Sequence, residues 1–537
     1  MIPARIYHAA RSALSTIRDI DGTRGPPKNS HVLAHVLSAA LLGVEAALVR
    51  VEVDVSPGLP AFTTVGLPDS AVRESRERVR AAIRNAGFPF PQDRITVNLA
   101  PADLRKEGAS FDLPIALGIL AATGCVKGDV AGSFAVVGEL ALDGQIQPVR
   151  GALAVGLACR RRGIKTLLVP RANGAEAAAI DGLRIIPAGT LHDAVAMLNG
   201  EVIVPAIEAP ETVDAVPAPQ DDFSDVVGQA HAKRALEIAA AGAHNVLLVG
   251  PPGAGKTMLA RRLPSILPAM TSDETIEVST IWSVAGLLPR ETRLLRYRPF
   301  RAPHHTISVS GLVGGGSPPH PGEVTLAHRG VLFLDELPEF QRHVLESLRQ
   351  PLEDGRVTIT RTGGSGQFPA RFQLVGAANP CRRGCPSLER CLCTPAERQR
   401  YLGRLSRPLL DRIDLHVELP AVLPSMLQAS IPGEGSADIR GRVLRARERQ
   451  GQRLAAMRLR TNAELTPRLL RRLCPLGPDA QQLLTAAAER LGLSARGHDR
   501  IIRVARTIAD LAGSEAITGE HCAEAIQYRG LDRQWRG

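Results

Sequence analysis

Asn245-Val246-Leu247-Leu248-Val249-Gly250-Pro251-Pro252-Gly253-Ala254-Gly255-Lys256-Thr257 is the stretch on which the reading of this chain turns. Four consecutive apolar residues suit a parallel strand buried on both faces. The strand runs into a glycine-rich loop, and the loop opens a helix read over 258–263. A phosphate-binding loop requires that strand-loop-helix context. Glycines let backbone N–H groups turn inward onto phosphate oxygens, at the positive end of the following helix. Gly250, Pro251, Pro252, Gly253, Ala254 and Gly255 are therefore expected to cradle the phosphates of ATP. Lys256 is expected to reach the β and γ phosphates, and Thr257 to ligate Mg2+.

Two further apolar runs end in polar residues suited to the same chemistry. Val331-Leu332-Phe333-Leu334 leads into Asp335 and Glu336, placing two acids at the carboxyl end of a buried strand. Ligands collect there in open α/β sheets. Asp335 would hold Mg2+ through water, and Glu336 would polarise the attacking water as general base. Gln373-Leu374-Val375-Gly376-Ala377-Ala378 leads into Asn379, whose amide can orient that water against the γ phosphate. Arg412, just before an expected strand, sits where a finger would reach a neighbouring subunit's ATP, with Arg407 in reserve. Arg496 opens a C-terminal helix and is expected to return to the γ phosphate within its own subunit. Positive charge at developing phosphoryl charge is worth ~10³–10⁵ in rate.

Between Glu336 and Asn379, β-formers flank a Gly-rich tip at 362–366 and predict a hairpin. Arg361 and Arg371 on it are candidate contacts to DNA phosphates. The adjacent His304 and His305 should point apart on extended backbone, which favours loop packing or substrate contact over a metal site. Cys381, Cys385, Cys391 and Cys393 are spaced so that four thiolates could close a tetrahedral Zn2+ site. Reduced free thiols and a redox switch are the alternatives.

The whole chain sets the frame. A length of 537 residues exceeds one core and predicts three or four domains. Residues 1–30 read as a flexible basic arm without the apolar core of a secretory signal. Residues 31–205 alternate strands (49–55, 95–99, 134–137, 165–169) with helices (69–86, 111–122) and read as an α/β domain. Residues 206–222 read as a Pro- and Ala-rich linker, 223–430 as the nucleotide-binding core, and 437–537 as helical, with helices at 439–454, 478–491, 499–512 and 518–528. No apolar run is long enough for a membrane span, so a cytoplasmic protein is expected. A formal net charge of +11 suits a polyanionic partner, while aromatics at 3% argue against base stacking, leaving phosphate-dominated contact with DNA.

With these residues in hand, the chain resembles the YifB/ComM family of magnesium-chelatase-like AAA+ ATPases from residue 31 to about residue 530. The most specific stretches are Ser56-Pro57-Gly58-Leu59-Pro60-Ala61-Phe62, Val65-Gly66-Leu67-Pro68-Asp69 and Arg94-Ile95-Thr96-Val97-Asn98-Leu99-Ala100-Pro101-Ala102-Asp103. Residues 300–305 and 409–415 are also typical of it. The resemblance implies a AAA+ P-loop core with a parallel sheet, a C-terminal helical lid, and a homohexameric motor. It further implies branch migration of DNA junctions during natural transformation.

The N-terminal domain resembles the proteolytic domain of Lon, with its ribosomal S5 domain 2-like α/β fold. That likeness places Ser110 at the nucleophile and Leu153 where the general-base lysine would stand. A serine without an activating base is a poor nucleophile, so a non-proteolytic domain is expected. The competing readings are a chelatase-type ATPase that remodels a partner enzyme and, less favoured, an ATP-dependent protease. Chelatase motor subunits are expected to lack the Lon-like domain and the four cysteines.

Overall fold

The computed structural model describes residues 32–127, 134–202, 221–289, 292–317, 319–361, 364–385, 391–421 and 433–530. The expected arm at 1–30 and nearly all of the expected linker lie outside the described residues.

The first unit is a seven-stranded mixed sheet. Its strands run, edge to edge, Ala61–Val65, Arg94–Ala100, Glu45–Ser56, Val32–Leu42, Phe134–Val136, Thr166–Pro170 and Arg184–Ala188. Val32–Leu42 and Glu45–Ser56 form a long antiparallel hairpin in which Val36 faces Val51. Helix Ser70–Asn85 starts at Asp69, whose side chain accepts from the Val72 amide at 2.8 Å. Helix Asp112–Ala122 is buried along almost its whole length, and its buried Asp112 takes two bonds from Arg78, at 2.8 and 3.1 Å. A helix apolar all round belongs in the middle of a domain.

The second sheet is five-stranded and parallel throughout, ordered Phe300–Arg301, Val331–Leu334, Gln373–Ala378, Val246–Val249 and Leu415–Glu418. The helices Ser436–Leu454, Pro478–Leu491, Ala495–Ala512 and Gly519–Gln527 follow. They share one apolar core with the sheet, joining Val246 and Leu248 to Val443 and Ile508. The molecule is thus an α/β protein with a parallel nucleotide-binding sheet and a C-terminal helical region.

Asp414 fastens that helical region to the sheet. Its carboxylate accepts from Arg500 at 2.5 Å and from the Asn245 amide at 3.3 Å, with His244 Nδ1 also at 3.3 Å. Burial opposes its ionisation, but Arg500 and His244 outweigh burial and hold the carboxyl well below the usual range.

The two units meet where helix Ala152–Arg161 packs on helix Ser272–Ala285. The Gly151 amide donates to the Ser283 carbonyl at 3.1 Å, and the Ser283 hydroxyl donates to Glu176. Glu176 also accepts from the Leu153 amide at 2.9 Å.

Candidate active site

Register builds the site. Val249 lies opposite Ala378, and Leu334 opposite Gly376, so Gly250, Asp335 and Asn379 all emerge at one carboxyl edge of the sheet. The loop turns into helix Lys256–Ile266 through Gly255, whose φ of +86° suits glycine and raises the next N–H groups toward the edge. Lys256 is buried; its ammonium donates to the carbonyls of Gly250 (2.7 Å) and Pro251 (2.9 Å) and to Asn379 Oδ1 (3.0 Å). Burial pulls the Lys256 pKa below its ordinary value, and the charges of Asp335 and Glu336 act against that pull.

Thr257 Oγ1 donates to Asp335 Oδ2 at 2.8 Å, while Asp335 Oδ1 accepts from the Glu336 amide at 2.9 Å. A hydroxyl and a carboxylate at a helix start are the donor set Mg2+ takes beside nucleotide phosphates. Thr257 and Asp335 would hold that ion, which would supply positive charge against the charge developing on the phosphates. Glu336 has a left-handed backbone (φ +50°), an uncommon setting for a non-glycine residue, and its side chain is 54% exposed. It is therefore free to meet a water.

One contact here was missed in the sequence. His305 Nδ1 lies 3.5 Å from Glu336 Oε2, and the His304 and His305 rings sit with centroids 4.1 Å apart. The expectation that the two side chains diverge is corrected, because the chain leaves the short edge strand Phe300–Arg301 and turns across the acid-bearing strand. The neighbouring strand was the available signal.

The arginines lie elsewhere. Arg412 is buried at the amino edge of the sheet, paired with Glu353 and with the Pro408 carbonyl. It lines a cavity of about 430 Å³ together with Arg371, Arg447, Arg460, Arg500 and Arg503. Arg407 is exposed at the start of the preceding short helix. Arg496 is exposed and acts electrostatically on Arg412. The expectation of a return to its own subunit's γ phosphate is corrected: Arg500, one turn along the same helix, is tied to Asp414 ahead of strand Leu415–Glu418. This anchors the helix at the sheet's amino edge.

The hairpin exists as strands Arg356–Arg361 and Gly364–Pro369. It is no solvated loop at its base: Val357, Ile359 and Phe368 are buried, and a Cβ on Gly43 of the first unit would stand 3.2 Å from the Gln367 carbonyl. The Arg361 side chain lies outside the described residues. Arg371 lies just past the second strand and not on the hairpin itself; its exposed side chain faces Glu464 at 3.6 Å at the rim of the arginine-lined cavity.

The sulfur atoms of Cys381, Cys385, Cys391 and Cys393 lie within 4.8 Å of one another, and all four are free thiols. In the first unit Ser110 is half-buried, while Leu153 is buried with its amide on Glu176, at the junction of the two units.

Comparison with known proteins places this geometry. Profiles described as "Magnesium chelatase, subunit ChlI", "Subunit ChlI of Mg-chelatase" and "Magnesium chelatase, subunit ChlI C-terminal" match residues 222–427, 51–173 and 433–529. The YifB protein of Escherichia coli is 45% identical over 503 residues, covering 93% of this chain and 98% of YifB. The competence protein ComM of Haemophilus influenzae is 47% identical over 507 residues, with the same two shares. The chain belongs to the YifB/ComM family of magnesium-chelatase-like proteins. Membership makes it a AAA+-type ATPase by family. The magnesium-chelatase 38 kDa subunit of Rhodobacter capsulatus is 29% identical over 228 residues, covering 39% of this chain and 59% of that subunit. No helix among the described residues is long and apolar enough to cross a membrane.

Proposed function

We propose that this chain is an ATP-hydrolysing ring motor that moves branched DNA, as a branch migration helicase acting on recombination intermediates in natural transformation. The observation that carries the reading is the joining of Lys256, Thr257, Asp335, Glu336 and Asn379 at one sheet edge, in a chain alike over 93% of its length to a competence protein. Lys256 and the loop hold the phosphates, Thr257 and Asp335 hold Mg2+, Glu336 takes the proton of the attacking water, and Asn379 orients that water. His305 positions the Glu336 carboxylate. Arg412 and Arg496, at the opposite edge, serve the ATP of a neighbouring copy in a homohexamer. The net charge of +11 favours DNA as the polyanion moved, through contacts mainly to phosphates. The first unit acts as a non-proteolytic collar.

The test is ATP hydrolysis by the purified chain with and without a synthetic four-way junction, together with strand exchange of that junction. Stimulated hydrolysis and ATP-dependent migration are expected. A chain that binds no DNA at low salt and leaves the junction unmoved refutes the DNA reading. The profile descriptions favour one second reading, an ATPase that remodels a partner enzyme for Mg2+ insertion into a porphyrin. On that reading, hydrolysis responds to the partner enzyme and not to DNA.

A further inference from the structure

Among the described residues, the four-cysteine element is the one cluster of metal-ligating side chains that ATP chemistry leaves unused. A tetrahedral ion with metal–sulfur bonds of about 2.3 Å sets its four sulfurs roughly 3.8 Å apart. The thiols already converge on that volume, since every pair lies within 4.8 Å. Cys381, Cys385 and Cys393 are buried, and among the described residues they form with Cys391 a core of their own that no aliphatic or aromatic side chain joins. Small thiols with weak hydrogen-bonding power provide little to hold a loop together, whereas coordination supplies that stabilisation directly. The Cys385 amide donates to Cys381 Sγ at 3.3 Å, and the Gly384 amide donates to the Cys381 carbonyl at 3.0 Å. The turn is thereby wound around the sulfur, and an N–H directed at a ligand sulfur stabilises its thiolate.

What surrounds the cluster gives it a task. Cys381 follows Asn379 by two residues, so the element begins where the water-orienting amide ends. Gly384, at φ +64°, lies on the phosphate loop: a Cβ there would stand 2.7 Å from Pro252 Cγ. On the far side, Thr394 directly after Cys393 caps helix Pro395–Leu402. Tyr401 of that helix is buried; burial pushes its hydroxyl pKa up to about 12, and the nearby Asn379 backbone acts against that push. One ion at the four sulfurs would therefore fix both flanks of Asn379 and press the turn onto Pro252.

We propose that Cys381, Cys385, Cys391 and Cys393 hold one Zn2+ ion, and that this ion clamps Asn379 and the phosphate loop into their ATP-binding arrangement. The clamp rests on the ATP reading given above; the ion does not. Full-length chain is purified under reducing conditions without added metal, and its metal content is measured by mass spectrometry. About one Zn2+ per chain is expected, lost in Cys385→Ser and Cys393→Ser and kept in Cys125→Ser. A chain free of metal that also develops no thiolate charge-transfer band with Co2+ overturns the site. An iron band in place of zinc overturns the metal assignment.

Binding of a fluorescent ATP analogue is then compared between the native chain and the chain stripped by a chelator. Affinity is expected to fall by about tenfold or more on stripping and to return with Zn2+. Gly384→Ala, which keeps every thiol, should retain its zinc and still bind the analogue more weakly. Unchanged affinity in both the stripped chain and Gly384→Ala overturns the clamp. A zinc-loaded native chain that binds no nucleotide overturns the ATP reading and the clamp with it, leaving the ion in place.

Discussion

Replacing Asn379 by aspartate exchanges an amide for a carboxylate of the same shape, and the exchange should sharply weaken ATP binding. Lys256 reaches Asn379 Oδ1 at 3.0 Å and is only 9% exposed, so the pair is poorly screened by water. A full negative charge at that separation attracts an ammonium by about 5 kcal/mol at an effective dielectric of ~20. The hydrogen bond to the neutral amide already supplies ~1.5–3 kcal/mol of this. The remaining ~2–4 kcal/mol must be given up when Lys256 turns to the phosphates, which weakens ATP by about 30- to 1,000-fold. Asn379→Ala removes the bond without adding charge. It should bind ATP within about threefold of the native chain yet lose ~10²-fold in kcat, as removal of a preorganised donor does. Calorimetry with a slowly hydrolysed ATP analogue reads the first effect, and phosphate release reads the second. If Asn379→Asp binds the analogue as tightly as Asn379→Ala, the placement of Lys256 between amide and phosphate is wrong.

Other expectations follow from the same geometry. Glu336→Gln should abolish most hydrolysis while retaining ATP, and His305→Ala should lower kcat by less than about tenfold, since it removes a positioning partner and not the base; equal losses in steady-state assays would contradict that division. Arg412→Ala should lower kcat by ~10³-fold or more, and mixing it with Lys256→Ala should restore part of the activity, because each supplies what its neighbour lacks; mixing without recovery argues against action between copies. Glu277 is held down at about 2 by its hydrogen bond to His328, with burial opposing and Arg329 helping. Its folded pKa is depressed, so its stabilisation is complete above the ordinary carboxylate range and is lost as pH falls toward 2. Thermal unfolding between pH 6 and pH 3, compared with Glu277→Gln, should show a shallower acid loss in the variant. Asp112, pushed up to about 6 by burial, runs the opposite way, its contribution fading as pH rises through that value.

The phosphate loop, the acid pair and the amide were legible because each follows a short apolar run, and parallel strands deliver their carboxyl ends to one edge. Helix 478–491 was legible for a similarly local reason, a proline start and a glycine just past its end. Val32–Leu42 was not read as a strand, since its alanine- and leucine-rich pattern fits a helix as well. His305 escaped because its contact depends on which strand lies beside Phe300–Arg301, an order no local pattern encodes. Arg496 was misplaced for a larger reason: where its helix docks is decided by Asp414 and Arg500, whose meeting is a long-range event. The four cysteines stood out by spacing, but the approach of Gly384 to Pro252 belongs to tertiary packing alone.

Helix Ser272–Ala285 joins two places otherwise remote from each other. In its first turn Glu274 receives Arg298 at 3.0 Å and Arg460 at 2.7 Å, beside the arginine-lined cavity, and near its last turn Ser283 holds Gly151 and Glu176 of the first unit. Its 14 residues make a rod of about 21 Å. A push at the Glu274 end arrives at the Ser283 end with no loop between them to absorb it. If copies assemble into the ring we propose, the first unit of each would keep time with the nucleotide held next door.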